Sequence, residues 1–263
     1  MEPKKSYTIK PYALILGGSS GLGWASAQKL AQKGYALWIL HRDRGTERDN
    51  LEKKFAELRQ HCPELITQNT DAIHPQKMVK AIEETLSKNP KIKVRLLLFS
   101  IAKGNVKHLI DQDSLTPADL AVTAEAMAFS LMRWVQELDK RNLWTSPASV
   151  LAFTSEGGRR AWPGYAAVGA AKAALESLIR SMALEYAPKG IRFNCLQAGV
   201  TETPSSALIP GIEELKRESE RRNPYQRLTT PEDVAKVVSL LARDEALWIN
   251  GAIIPVDGGE SIR

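Results

Sequence analysis

Tyr165 and Lys172 stand seven residues apart in the segment Tyr165-Ala166-Ala167-Val168-Gly169-Ala170-Ala171-Lys172. Seven residues is almost two helical turns, so the spacing predicts both side chains on one helix face, ~10 Å apart along the axis. Helix-forming sequence continues through Ala173-Ala174-Leu175-Glu176-Ser177-Leu178. A phenol and an ammonium on one face can donate a proton and hold a nucleotide sugar. Tyr and Lys also share helix faces by chance, so the pair needs a second signal.

That signal is the loop Ala13-Leu14-Ile15-Leu16-Gly17-Gly18-Ser19-Ser20-Gly21-Leu22-Gly23-Trp24-Ala25. A strand-length apolar run precedes the glycines, and an amphipathic pattern (Ala25, Ala27, Leu30, Ala31) follows them, which is the strand–turn–helix setting of a dinucleotide site. Gly17 permits the tight turn, Gly21 lets backbone approach a pyrophosphate, and Gly23 lets the helix pack close to the sheet. The helix N-terminus offers N–H groups and positive dipole to phosphate. Ser19, Ser20 and Leu22 complete the predicted contacts. The spacing is Gly-x3-Gly-x-Gly, unlike the Gly-x-Gly-x2-Gly of the commonest Rossmann dehydrogenases.

These residues must be carried by a core. With 263 residues, 43% of them hydrophobic, the chain can build one sizeable core and is too short for two ordinary domains with a long linker. Strands are predicted at 12–16, 36–41, 64–69, 94–100, 148–154, 191–196 and 252–256. Helices are predicted at 22–33, 46–60, 75–88, 117–141, 161–187 and 231–242. Alternation with buried-type strands such as Val94-Arg95-Leu96-Leu97-Leu98-Phe99 argues for a doubly wound parallel sheet of about seven strands, a single α/β domain over 1–263. Segment 197–230, rich in Pro and charge, has no clear pattern; its stretch at about 200–228 is expected to be a substrate lid. Ligands in such folds sit beyond the carboxyl ends of the strands, where the glycine loop, Ser100, Ser155 and the lid all fall. Trp38, Trp134, Trp144 and Trp248 are read as packing residues, and His61, His74 and His108 show no catalytic pattern.

Composition excludes other classes. Cys62 and Cys195 form neither a disulfide framework nor a metal site, which fits a reducing cytoplasm. The basic start Met1-Glu2-Pro3-Lys4-Lys5 leads into a short strand, not a signal peptide, and no run is long enough to span a membrane. Net charge is +6, with Lys216, Arg217, Arg221, Arg222 and Arg227 clustered late. The cluster reads either as a solvated helix face or as a docking surface for an acidic partner. No aromatic residues interleave with it, which argues against nucleic acid.

The chain resembles the short-chain dehydrogenase/reductase superfamily over nearly its whole length. The matching pieces are Gly17–Gly23, Asp71-Ala72, Lys172-Ala173-Ala174-Leu175, Ile191-Arg192-Phe193-Asn194, Ala198-Gly199-Val200-Thr201-Glu202-Thr203 and Ile254-Pro255-Val256-Asp257-Gly258-Gly259. Within it, the chain most resembles enoyl-acyl-carrier-protein reductases. The commonest members carry Tyr-x3-Lys, which would put tyrosine at Val168; Tyr-x6-Lys is the enoyl reductase spacing. Ser100-Ile101-Ala102 ends the fourth strand as in many enoyl reductases, and Ala124-Glu125-Ala126-Met127-Ala128-Phe129 lacks the proton-relay asparagine of many ketone reductases. Ser155 stands where some enoyl reductases have a second tyrosine, or else stands in for a carbonyl-binding serine. The open glycine loop with the displaced tyrosine is most similar to the NADPH-dependent third type.

The resemblance implies reduction of the C=C bond of an enoyl thioester, with Tyr165 stabilising the enolate and Lys172 on the ribose, lowering the phenol pKa. It implies cofactor contacts from Asp71 (to adenine), Ala72, Ser100, Ile101, Ala102, Gly199, Val200 and Thr203. It also implies an acidic acyl carrier protein as partner and a homotetramer or homodimer. Cofactor choice is read after the second strand, where His41 and Arg42 occupy the place of an NAD enzyme's carboxylate, with Asp43 slightly beyond. The two arginines Arg42 and Arg44 read either as phosphate partners or as solvated surface residues. Arg42 or Arg44 can pair with a 2′-phosphate, favouring NADPH over NADH. Two alternatives stay open: a carbonyl reductase acting on 3-oxoacyl or other ketones, and a non-catalytic dinucleotide-binding protein.

Overall fold

A computed structural model describes residues 11–43, 45, 48–110 and 112–263; Arg44, one of the two predicted phosphate readers, lies outside them. Seven strands form one parallel sheet: β1 Tyr12–Leu16, β2 Ala36–His41, β3 Leu65–Asn69, β4 Val94–Phe99, β5 Trp144–Ser155, β6 Ile191–Ala198 and β7 Ile253–Val256. Their order is β3-β2-β1-β4-β5-β6-β7, with every pairing parallel. The helices are α1 Gly21–Gln32, α2 Arg48–His61, α3 Pro75–Lys88, α4 Pro117–Ala124, α5 Ser130–Lys140, α6 Ala166–Glu185, α7 Ile212–Arg222 and α8 Pro231–Leu241.

Both sheet faces are covered, which is why the strands read as unbroken apolar runs. Leu14 and Leu16 of β1 point to a core shared with α3, α5 and α6, containing Ile82, Trp134 and Ile179. Ala13 and Ile15 point the other way, to a core shared with α1, α2 and α8, containing Leu30, Phe55 and Val238. Trp38 and Trp134 are fully buried and meet edge to face, with ring centroids 6.3 Å apart. Trp134 Nε1 donates to the Ala72 carbonyl at 2.8 Å and so fixes the chain just after β3. Helix starts are set locally: Thr116 and Thr230 each form a capping box three residues ahead, with Asp119 and Asp233, and a proline follows each cap.

Four expectations are corrected. The predicted helix 161–187 begins only at Ala166, because Pro163-Gly164 precedes it and Gly164 has φ +74°. The predicted helix 117–141 is α4 and α5 joined by a π-helical turn, Glu125–Phe129. The stretch thought patternless contains α7. Trp248 is not a packing residue; it is 99% exposed.

The strand order reverses between β1 and β4. Leu16 pairs with Phe99 there, and Ser100 N–H donates to the Leu16 carbonyl at 2.9 Å. This switch point brings the glycine loop and the end of β4 together, beneath the carboxyl ends of the strands.

Candidate active site

A cleft of about 440 Å³ opens at that switch point. Gly17, Ser19, Ser20, Gly21, Leu22, His41, Arg42, Asp71, Ala72, Ser100, Ile101, Ala102, Ser155, Tyr165, Lys172, Gly199, Val200 and Thr203 all border it. Gly23, the remaining sequence candidate, lies behind the loop. A Cβ there would fall 2.0 Å from the Gly17 carbonyl oxygen, so its role is close packing. Gly17 has φ +89°, and a Cβ on it would meet the Ser100 carbonyl at 2.7 Å. The first turn of α1 holds no acidic residue and the Ser20 side chain makes no capping bond. Its N–H groups and positive dipole end therefore face the cleft without a competing carboxylate, and they suit a pyrophosphate.

The far end of the cleft lies over β2 and β3. Asp43 is locked by His41 Nδ1 at 2.7 Å, by the Ser19 hydroxyl at 3.2 Å, and by two bonds between its backbone and Asn69. Arg42 is exposed and donates to Asp71 at 3.1 Å. Asp71 is held below the usual carboxylate range despite partial burial, because the Ile73 N–H and the Arg42 guanidinium stabilise its charge. The Asp43 carboxylate after β2 is thus already engaged, and the exposed Arg42 guanidinium is paired with Asp71 at the cleft edge.

Tyr165 occupies the residue before α6, with φ −105°, and its carbonyl accepts the Gly169 N–H at 2.8 Å. The phenol is pushed above its ordinary pKa by burial, opposed only by Ser155. Ser155 Oγ is buried without a hydrogen bond of normal geometry, yet lies close enough to favour phenol ionisation. The expectation that Lys172 lowers the Tyr165 pKa is therefore corrected. Lys172 is itself buried, and its Nζ donates to the Phe153 carbonyl at 2.6 Å. Burial lowers the ammonium to about 8, with Cys195 and Glu176 opposing. Glu176, one turn further along α6, accepts from Thr154 Oγ1 at 2.7 Å.

Residues beyond the sequence candidates shape the centre. The turn Glu156–Gly158 after β5 packs on α6: a Cβ on Gly157 would lie 2.4 Å from the Tyr165 ring, and one on Gly169 would lie 2.6 Å from the Gly157 carbonyl. Val168, which replaces the common tyrosine position, clusters with Ala126, Met127 and Ala171 as an apolar wall. The π turn aims Met127 into the cleft, where helix 117–141 lacks its asparagine. On α7, four glutamates accompany Lys216, Arg217, Arg221 and Arg222. Lys216 pairs with Glu202 and Glu213, Arg217 with Glu214, Arg221 with Glu218, and Arg222 with Glu156 and Glu260. Arg227 pairs with Asp233. The cluster is charge-compensated, so it presents no free positive patch.

The glycine turn, the phenol and the ammonium thus meet in one cleft, and the family model described as enoyl-(acyl carrier protein) reductase matches residues 17–261. The chain belongs to this reductase family. It is 28% identical to the NADH-dependent enoyl-[acyl-carrier-protein] reductase of Nostoc sp., over 95% of its own length and 96% of that protein's. It is also 30% identical to an uncharacterized oxidoreductase of Caenorhabditis elegans, covering 94% of this chain and 78% of the other. A third relative, the 1-cyclohexenylcarbonyl-CoA reductase of Streptomyces collinus, is 27% identical over 95% of this chain and 86% of that one. The fold of the reductase matches the crystal structure of the enoyl-[acyl-carrier-protein] reductase (NADH) of Aquifex aeolicus. The TM-score is 0.83, with 24% identity over 96% of this chain and 97% of the other. Among the described residues no helix is long and apolar enough to cross a membrane, and no cluster of side chains could hold a metal ion.

Proposed function

We propose that this nicotinamide-dependent oxidoreductase reduces the C=C bond of an enoyl thioester, with NADPH as the reductant. The observation that carries this reading is the placement of the phenol. Tyr165 stands ahead of α6, and Val168, where ketone-reducing relatives of the superfamily have their tyrosine, is an apolar wall residue. In an enoyl thioester the negative charge collects on the carbonyl oxygen, three bonds from the carbon that takes hydride, so the donor must sit farther from the nicotinamide than in a ketone reductase.

Gly17–Leu22 and the α1 N-terminus suit the pyrophosphate, Arg42 a 2′-phosphate, Asp71 the adenine, and Gly199, Val200 and Thr203 the nicotinamide end. When bound, the dinucleotide supplies the hydride. The chain supplies the rest. Burial keeps Tyr165 a neutral phenol at physiological pH, able to donate its hydrogen to the developing enolate oxygen. Lys172 holds the ribose hydroxyls and adds positive charge beneath them. Met127, Val168 and the segment at about 200–228, acting as a lid, exclude water.

Ser155 favours a second reading. Its unpartnered hydroxyl beside the phenol is what a ketone substrate would use, giving a carbonyl reductase. Crotonyl and acetoacetyl thioesters, assayed side by side for NADPH oxidation, separate the two: faster turnover of the acetoacetyl compound would overturn the enoyl reading. The family description supports an acyl carrier protein as the donor of the chain. A Michaelis constant for carrier-linked substrate that rises with salt, against a salt-insensitive pantetheine thioester, would support it. Because α7 is charge-compensated, charge reversal at Arg221 is expected to leave both constants alone. Assembly as a homodimer or homotetramer is proposed on the resemblance and is measured by light scattering.

A further inference from the structure

Arg222, the last residue of α7, is buried between two carboxylates. Its Nη2 lies 2.8 Å from Glu156 Oε2 and 3.0 Å from Glu260 Oε1, and its Nη1 lies 3.2 Å from Glu156 Oε1. Glu156 opens the turn after β5, directly before Gly157, which presses on the Tyr165 ring. Glu260 turns its other oxygen to the Val200 N–H, 3.2 Å away, and a Cβ on Gly199 would come within 2.7 Å of that same oxygen. One guanidinium therefore joins α7, the turn behind the phenol and the C-terminal turn at Glu260, and through Glu260 the loop after β6.

A fork is needed for this. Arg can bond two carboxylates at once with planar donors, whereas Lys offers a single point charge. A buried ion pair is also a poor device for stability alone, since apolar residues of equal volume generally serve as well. We propose that Arg222 is a positioning residue for the reduction. Through Glu156 it fixes the Tyr165 side of the centre, and through Glu260 it fixes the Gly199–Val200 side, so both are set only when α7 is seated. This rests on the reading of the cleft as a reductase site.

The test compares wild type with Arg222→Met, Arg222→Lys, Glu156→Gln and the double variant Arg222→Met/Glu260→Gln. For each, kcat and KM are measured separately between acid and alkaline pH, and folding is monitored by circular dichroism and melting. Arg222→Met is expected to lower kcat about tenfold or more with little change in the substrate KM. Arg222→Lys should recover little. The loss should shrink as pH falls. Glu260 is already pushed up by burial, and Arg222 and Glu156 are the charged groups acting on it. Arg160 and Glu218 stand behind those two. Without Arg222 the Glu260 carboxyl takes a proton more readily, which relieves its repulsion with Glu156. The double variant keeps an oxygen for Val200 and removes that repulsion but not the missing bridge, so it should regain only part of kcat. Wild-type kcat in Arg222→Met, or a loss that neither acid nor Glu260→Gln relieves, would overturn the proposal. Should Arg222→Met fail to fold, Glu156→Gln decides: a fall in kcat with unchanged NADPH affinity supports it, and an unchanged kcat refutes it. A wild-type protein that reduces neither thioesters nor ketones refutes the reductase reading, and this proposal with it. An active wild type with an unaffected Arg222→Met refutes only the role of Arg222.

Discussion

Replacing Gly157 with alanine tests the position of Tyr165 without touching its hydroxyl. Gly157 is not among the glycines with positive φ, so alanine suits the backbone. The added Cβ would lie 2.4 Å from Cε1 and 2.8 Å from Cδ1 of the Tyr165 ring, where ordinary contact begins at 3.4 Å. The turn has little room to retreat. Its carbonyl already packs against Gly169 of α6, and Glu156 is tied to Arg222. The ring must therefore move by about 1 Å, and a displacement of that size at a reacting group lowers turnover about 10²-fold, or about 2.7 kcal/mol of barrier. Overpacking should also destabilise the fold by about 1–3 kcal/mol. Steady-state NADPH oxidation on crotonyl thioester, with NADPH binding followed by fluorescence and stability by urea unfolding, separates these effects. Binding should be unchanged, because the pyrophosphate loop lies elsewhere in the cleft. A folded Gly157→Ala protein that turns over at the wild-type rate would refute the role given to the phenol's position.

Tyr165→Phe should abolish most turnover while NADPH affinity stays intact; near-normal turnover would remove the hydroxyl from the mechanism. Arg42→Ala should weaken NADPH binding by about 1.5–3 kcal/mol and NADH binding far less, and calorimetry showing equal losses would mean that Arg42 reads no phosphate. Lys172→Met should slow turnover yet stabilise the fold. Lowering the buried ammonium from 10.5 to about 8 means that its charge opposes folding by up to about 3 kcal/mol below pH 8. That penalty is relieved as pH rises from about 8 towards 10.5, so the advantage of the variant in urea should be largest at neutral pH and fade in alkali. An advantage independent of pH would contradict this.

What the sequence showed and what it hid have physical causes. Val94–Phe99 could be read as a buried strand because helices cover both faces and no polar alternation was required. The glycine loop was legible because each glycine answers a local demand, such as the 2.0 Å approach beneath Gly23. Helix α7 was hidden because its buried residues are Ser219 and Arg222, which carry no apolar periodicity. The basic cluster stayed ambiguous in the sequence because its pairing with glutamates three places away becomes definite only in the folded helix. Glu156 and Glu260 had no signal at all, since their partner lies in a third segment and only the folded chain brings them together. Tyr165 and Lys172, which both line the cleft, were picked out by their spacing together with the glycine loop. The direction of the phenol's pKa was not, because it follows from burial and from where Lys172 Nζ points.

The π-helical turn at Glu125–Phe129 holds one residue more than the α-helix on either side needs. Losing a residue from an ordinary helix rotates everything beyond it by about 100° and turns its apolar stripe out of the core. Here the surplus absorbs the loss. With Ala128 deleted, α4 and α5 could run as one regular helix while Leu131, Trp134, Val135 and Leu138 still face the sheet. The change would be felt at Met127, which would swing out of the cleft. Through this turn the outline of the cavity is open to revision by the loss of a single codon, in a stretch of helix where such a loss would otherwise turn the apolar stripe out of the core.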